Sequence, residues 1–249
     1  MINREKKPLV MGILNYTPDS FSDGGLYNTP QKALERALAL IGDGADIIDI
    51  GANSTRPGAS ILTENEELQR LGEVLPFLKG KLSVPVSVDT FYPECARFAL
   101  ENGAEIINDV SGSFNEKIAR AAMDYNAYYV VTHNPCGADK KADYPEGVTA
   151  AVRNFFLEVI EKAAESGFPK DRLILDPGFG FGKSIEDNKE LLENFEWLKF
   201  KDILLLCALS RKRFISALKP ENEDIDSASA RANAVAVSKG ADIIRTHKV

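Results

Sequence analysis

A helical stretch that ends on Gly and runs straight into a β-branched stretch occurs three times. The copies are Gly44-Ala45-Asp46-Ile47-Ile48, Gly103-Ala104-Glu105-Ile106-Ile107 and Gly240-Ala241-Asp242-Ile243-Ile244. Glycine ends a helix because it accepts the left-handed turn that follows, and the Ile pair suits a strand. Repetition of this unit is the mark of β/α architecture with tight helix-to-strand turns. Eight short apolar runs fit the scheme: approximately Leu9–Leu14, Ile47–Ile50, Val86–Val88, Ile106–Ile107, Tyr128–Val131, Leu173–Leu175, Ile203–Leu206 and Ile243–Ile244. They are aliphatic rather than alternating, as expected of strands covered on both faces.

Helical patterns lie between the runs. Pro30 to Ile41 puts Ala33, Leu34, Ala37, Leu38 and Ile41 on one face. Thr63-Glu64-Asn65-Glu66 is a capping-box pattern, and Pro93 sits where a first-turn proline belongs for a helix through Leu100. Further helices are predicted over about Glu116–Tyr125, Val148–Ser166, Ile185–Phe195 and Ser227–Ser238. Eight strands with helices between them predict a (β/α)8 TIM barrel, a single domain over residues 1–249. An open doubly wound sheet satisfies the same pattern, because strand order is not written in it. The chain stops at Val249, right after the eighth run, so the barrel is expected to lack its last outer helix.

Composition narrows the function classes. A net charge of −7 argues against a nucleic-acid surface. No apolar stretch reaches the ~18 residues of a membrane span. The charged start, Met1 to Lys7, leads into no signal-peptide core, and the three scattered cysteines have no zinc spacing. A reduced, cytoplasmic protein is expected. Within this acidic chain, Arg56, Lys183, Arg211, Lys212, Arg213, Arg245, His247 and Lys248 all fall near strand ends. If those ends converge they form a basic mouth for a small anion, with Arg213 and Lys248 better read as surface charge.

Asp49, Asp89, Asp109 and Asp176 close apolar runs, with Asn108 beside Asp109. Each alone reads as a turn-forming aspartate. Together they read as a ring of carboxylates pointing into a barrel mouth, where buried carboxylates need donors. A planar ring with adjacent N–H groups supplies such donors, over a floor of Asp89, Asn108, Asp176 and Lys212. The Gly-rich Asp176–Lys183 segment has neither Walker A nor Rossmann spacing. Its glycines let backbone approach a flat ligand, and Phe181 either borders that ligand or packs internally. Ser210-Arg211-Lys212 and Arg245-Thr246-His247 follow the last two strands, the usual place for a phosphate. Asn15 with Asp19, Ser20, Ser22 and Asp23 suits Mg²⁺, and Gly24-Gly25 suits a lid or a surface loop. His133 reads as structural. No catalytic triad order, Cys-His pair, HExxH or CxxC is present.

Met11 to Gly25, Ser54-Thr55-Arg56-Pro57-Gly58-Ala59, Ser87-Val88-Asp89-Thr90, Ile107-Asn108-Asp109, Asp176–Lys183, Ser210-Arg211-Lys212 and Arg245-x-His247 together resemble the dihydropteroate synthases. The resemblance spans essentially the whole chain. It implies a pterin-binding barrel that joins p-aminobenzoate to 6-hydroxymethyl-7,8-dihydropterin diphosphate, releases pyrophosphate, and is inhibited by sulfonamides. It also implies roles. Asp89, Asn108, Asp176, Lys212 and Phe181 would bind the pterin, with Asp89, Asp176 and Lys212 catalytic. Asn15, Arg245 and His247 would hold the diphosphate, with Mg²⁺ at Asn15. Thr55, Arg56, Pro57 and Ser210 would shape the p-aminobenzoate pocket. The family forms homodimers through its C-terminal helices. The chain departs from the family pattern at Ala52-Asn53, Thr132, Ala208 and Lys248. A methyltransferase acting on a corrinoid protein and a pterin-binding paralogue without turnover are the alternatives. Retention of Ser-Thr-Arg-Pro-Gly and Arg-x-His favours the synthase, because a methyl donor has no diphosphate to hold.

Overall fold

The computed structural model describes residues 2–3, 5, 8–17, 29–53, 61–137 and 140–249. The elements, in chain order, are β1 (Leu9–Asn15), α1 (Pro30–Gly42), β2 (Ile47–Gly51), α2 (Glu64–Leu78), β3 (Val86–Asp89), α3 (Pro93–Glu101), β4 (Ile106–Asp109) and α4 (Glu116–Asp124). They continue as β5 (Tyr128–Thr132), α5 (Val148–Glu165), β6 (Leu173–Asp176), α6 (Ile185–Glu193), β7 (Leu204–Cys207), α7 (Arg213–Leu218), α8 (Ile225–Ser238) and β8 (Ile243–Thr246). All neighbouring strands pair in parallel and β8 closes on β1. That closure decides for the barrel and against the open sheet.

The repeated Gly-Ala turn has a physical basis. Gly44 has φ +113°, and Ala45 N donates to Leu40 O at 2.9 Å, which satisfies a carbonyl of the last turn of α1. Ala104 and Ala241 make the same contact to Ala99 and Ala236. The Asp that follows then binds the neighbouring strand. Asp46 Oδ2 accepts from Val10 N at 2.9 Å, and Asp242 Oδ2 from Leu205 N at 2.8 Å. Each of these repeats therefore ends a helix and sets the start of a strand against the one beside it.

Most strands run one or two residues past the apolar runs, while β7 begins at Leu204 rather than Ile203. The crossover between β7 and β8 holds two helices, of which α7 has no clear signal in the sequence. Among the described residues no helix follows β8.

Strand periodicity places the site. Residues i and i+2 share a face. The inward face carries Leu9, Met11, Ile47, Ile106, Tyr128, Val130, Ile174, Leu204, Leu206 and Ile243, which form one buried cluster. A second, larger cluster fills the layer between sheet and helices. One step further along the same inward face the residues turn polar: Asp49 after Ile47, Asn108 after Ile106, Asp176 after Ile174, and Arg245 after Ile243. The interior is thus a hydrocarbon plug with a polar layer on its C-terminal end.

Candidate active site

Arg245 sits at the centre of that layer. Its Nε donates to Asp49 Oδ2 at 2.6 Å and its Nη2 to Asp89 Oδ2 at 2.9 Å. Asn108 Nδ2 donates to the same Asp49 oxygen at 3.2 Å. Burial pushes the Asp89 carboxyl up to about 7, against the pull of Arg245. Several buried polar atoms here have no hydrogen-bond partner: Asn15 Nδ2, Asp49 Oδ1, Ser87 Oγ, Asn108 Oδ1 and Thr132 Oγ1. Buried polar groups are normally paired. Their concentration in one layer marks a surface shaped for a polar ligand.

Across the mouth, Asp176 Oδ1 accepts from Gly178 N at 2.8 Å. Burial raises the Asp176 carboxyl, opposed by that amide and by Lys212. Lys212 precedes α7, donates from Nζ to Phe179 O at 2.7 Å, and lies 4.4 Å from the Phe181 ring centroid. Burial lowers the Lys212 ammonium to about 8, with Asp176 resisting. The loop carrying these contacts needs its glycines. Gly178 has φ +66°, and a Cβ there would lie 2.0 Å from His133 O. Phe181 is buried against Lys212 rather than facing solvent.

Ser210 joins the ends of β7 and β8. Its Oγ accepts from His247 N at 3.2 Å and lies 3.0 Å from His247 Nδ1. Arg36, on α1, holds the His247 carbonyl at 2.9 Å. Asn15 ends β1 opposite Gly51.

Three sequence expectations are corrected. Asp109 does not face the mouth. It points to the helix layer, accepting from Tyr129 Oη at 2.7 Å and Ser111 N at 2.8 Å, because it neighbours the inward Asn108. Lys183 is not a mouth cation, since its Nζ is buried on Gly178 O and Phe181 O, each at 3.0 Å, and His133 Nδ1 at 2.9 Å. Arg211 turns to α8 and pairs with Asp226 through two contacts of 2.7 and 2.9 Å. Among the described residues, Lys212 and Arg245 are the lysine and arginine of the mouth. His133 lies against Lys183 Nζ and the Phe155 ring, its imidazole driven down to about 3 by burial and then by Lys183. Asp49 stands in the mouth, as the ring of carboxylates predicts, although no ligand role is expected of it, and Ser87 has no place in the expected site. Strand parity is the signal that finds Ser87, since it shares a face with Asp89 and lies opposite Asp49. Thr55, Arg56, Pro57, Asp19, Ser20, Ser22, Asp23, Gly24 and Gly25 lie outside the described residues.

The family described as pterin binding enzyme matches residues 11–247. A dihydropteroate synthase of Streptococcus pyogenes serotype M3 is 39% identical over 98% of this chain and 92% of its own length. The chain belongs to the dihydropteroate synthase family. It is therefore an enzyme, and a transferase. Among solved members of the family, the Xanthomonas albilineans dihydropteroate synthase with 4-aminobenzoic acid is 41% identical, with a TM-score of 0.88 over 98% of this chain and 89% of that one. The same organism's dihydropteroate synthase in complex with 7,8-dihydropteroate is 38% identical, with a TM-score of 0.85 over 100% of this chain and 90% of that one. Dihydropteroate synthase membership agrees with the polar layer inside the barrel mouth. No group of three or more His, Cys, Asp or Glu among the described residues forms a metal cage. No described helix is long and apolar enough to cross a membrane.

Proposed function

We propose that this barrel mouth condenses p-aminobenzoate with 6-hydroxymethyl-7,8-dihydropterin diphosphate, giving 7,8-dihydropteroate and pyrophosphate. The observation that carries the reading is the unpaired polar layer around Arg245. A pterin edge has adjacent N–H donors and a carbonyl, the complement of Asp89, Asn108, Asp176 and Lys212. The free Asn108 Oδ1 accepts one donor, and the Lys212 ammonium donates to the ring. Phe181 packs against the Lys212 side of the ring.

Arg245, His247 and Asn15 hold the diphosphate, Arg245 reaching it by sharing its guanidinium with Asp49 and Asp89. Mg²⁺ fits a site with a lone amide oxygen better than a cage of imidazoles or thiolates, since it is held by one or two protein oxygens and the substrate's own phosphates. Asn15 would hold it, and its charge would assist departure of the diphosphate. Thr55, Arg56, Pro57 and Ser210 form the p-aminobenzoate pocket, with Ser210 oriented by His247.

In the reaction the methylene C–O bond breaks and the diphosphate leaves with the electron pair. Positive charge develops on the pterin methylene, beside the carboxylates of Asp89 and Asp176. The aromatic amine forms the new C–N bond and loses its proton. No protein nucleophile is needed. We infer that the protein acts in the cytoplasm as a homodimer, a reading supported by the exposed apolar side chains Ile185, Trp197, Leu218 and Val235 in the α6–α8 region. Chromatographic detection of 7,8-dihydropteroate from the two substrates tests the reading. Its absence with folded protein and Mg²⁺ would overturn it.

A further inference from the structure

We propose that Lys183 is a positioning residue for Lys212: its buried ammonium folds the Gly-rich loop so that the Phe179 carbonyl meets the Lys212 ammonium. The proposal rests on the assignment of Lys212 to pterin binding.

A lysine ammonium has three donors. Around Lys183 Nζ stand four acceptors: Gly178 O and Phe181 O at 3.0 Å, His133 Nδ1 at 2.9 Å and His133 O at 3.4 Å. Two of them flank Phe179 in the chain, and the Phe179 carbonyl itself is the acceptor for Lys212 at 2.7 Å. The ammonium thus draws in the carbonyls of Gly178 and Phe181 and leaves Phe179 O, one of the two between them, for Lys212. The loop also touches the Lys212 stem, for a Cβ at Gly180 would lie 3.1 Å from Lys212 Cδ. From the other side Asn188 Oδ1 takes Gly180 N at 2.7 Å.

The acceptors of the Lys183 ammonium are all internal, and none of them is a carboxylate. Burial lowers the Lys183 ammonium to about 7, so holding it charged is costly. Asp176, Asp187, Cys136 and the like charge of Lys212 face Lys183. Asp176, Arg245, Asp89 and Cys207 face Lys212. Two of the four acceptors, Gly178 O and Phe181 O, belong to the loop, so the ammonium ties the loop to His133 at the end of β5.

The test is a double-mutant cycle of Lys183→Met and Lys212→Ala, with two readouts. The first is kcat/KM for the pterin diphosphate. Lys183→Met lowers it by about 10-fold in the wild-type background, as supporting groups around a site do, and by far less once Lys212 is gone. The second is the rate of Lys212 acetylation by acetic anhydride, read by peptide mass spectrometry. It rises severalfold in Lys183→Met, while Lys199 stays at the wild-type rate. Lys199 is held by Asp242 at 2.9 Å at the opposite end of the barrel, so it reports general loosening. Equal losses of kcat/KM in both backgrounds, or an unchanged Lys212 rate, would overturn the proposal. Should Lys183→Met fail to fold, His133→Gln removes one acceptor and predicts the same two effects at smaller size. Should the wild type show no turnover, the reading of the site fails, and Lys212 acetylation still decides the positioning.

Discussion

Arg245 and Asp49, 196 residues apart in the chain, meet inside the barrel with Nε 2.6 Å from Oδ2, and the same guanidinium reaches Asp89 at 2.9 Å. Asp49 has no solvent exposure, and Arg245 is partly buried. The pair closes the polar layer across β8, β2 and β3. Removing one partner of such a pair leaves an uncompensated buried charge. Arg245→Met is expected to reduce unfolding free energy by about 3–5 kcal/mol, measured by chemical denaturation at pH 7.5. Asp49→Asn is expected to cost less, because Arg245 keeps Asp89. A loss under about 1 kcal/mol for Arg245→Met, typical of exposed pairs, contradicts this account.

Asp89 predicts a pH dependence with a defined sign. Its carboxyl moves from an ordinary 3.8 to about 7 on folding, chiefly through burial. Between those values the unfolded chain has released a proton that the fold retains. The group's contribution to stability therefore falls as pH rises from about 4 to 7 and is level outside that window. Asp89→Asn should gain stability relative to wild type across the same window. Thermal melts at pH 4.5 and 7.5 measure it, and a difference that does not grow with pH tells against the raised carboxyl. If the ionised form binds the pterin, kcat/KM also rises through an acid limb near 7.

Lys212 supplies the opposite limb. Its ammonium, lowered to about 8 by burial, is charged below that pH and neutral above it. The pH profile of kcat/KM should fall on the alkaline side through about 8. A hydrogen bond from a charged donor is worth about 1.5–3 kcal/mol, so Lys212→Met should lower kcat/KM by about 10- to 100-fold and remove that limb. Retention of the limb in Lys212→Met would assign it to another group.

Gly178 leaves no room for a side chain. Its φ is +66°, and a methyl group at this position would stand 2.0 Å from His133 O, with backbone on both sides of the clash. Gly178→Ala should lower stability by more than about 2 kcal/mol, the left-handed penalty plus the clash, and should displace the Phe179 carbonyl from Lys212. A melting temperature equal to wild type contradicts the loop geometry.

The repeat Gly-Ala-Asp/Glu-Ile-Ile makes the barrel legible, because local turn chemistry and strand burial both follow from short-range sequence. Asn108 and Asp109 show where the reading stopped. Adjacent strand residues face opposite sides, so both cannot enter the mouth, and parity alone sends Asp109 outward while keeping Asp49 inward. Lys183 and Arg211 were illegible for a different reason. Charge near a strand end does not say whether the cation finds carbonyls beneath the loop or a carboxylate such as Asp226, 15 residues on. The short α7 escaped because Arg213–Leu218 has too few residues for a clear helical period.

The most direct test of the central claim is pyrophosphate release from 6-hydroxymethyl-7,8-dihydropterin diphosphate and Mg²⁺, with and without p-aminobenzoate. The expected result is release that requires p-aminobenzoate, is lost in Asp89→Ala and falls by at least about 10-fold in Lys212→Ala. Tight pterin binding without release, in folded wild-type protein, would contradict it.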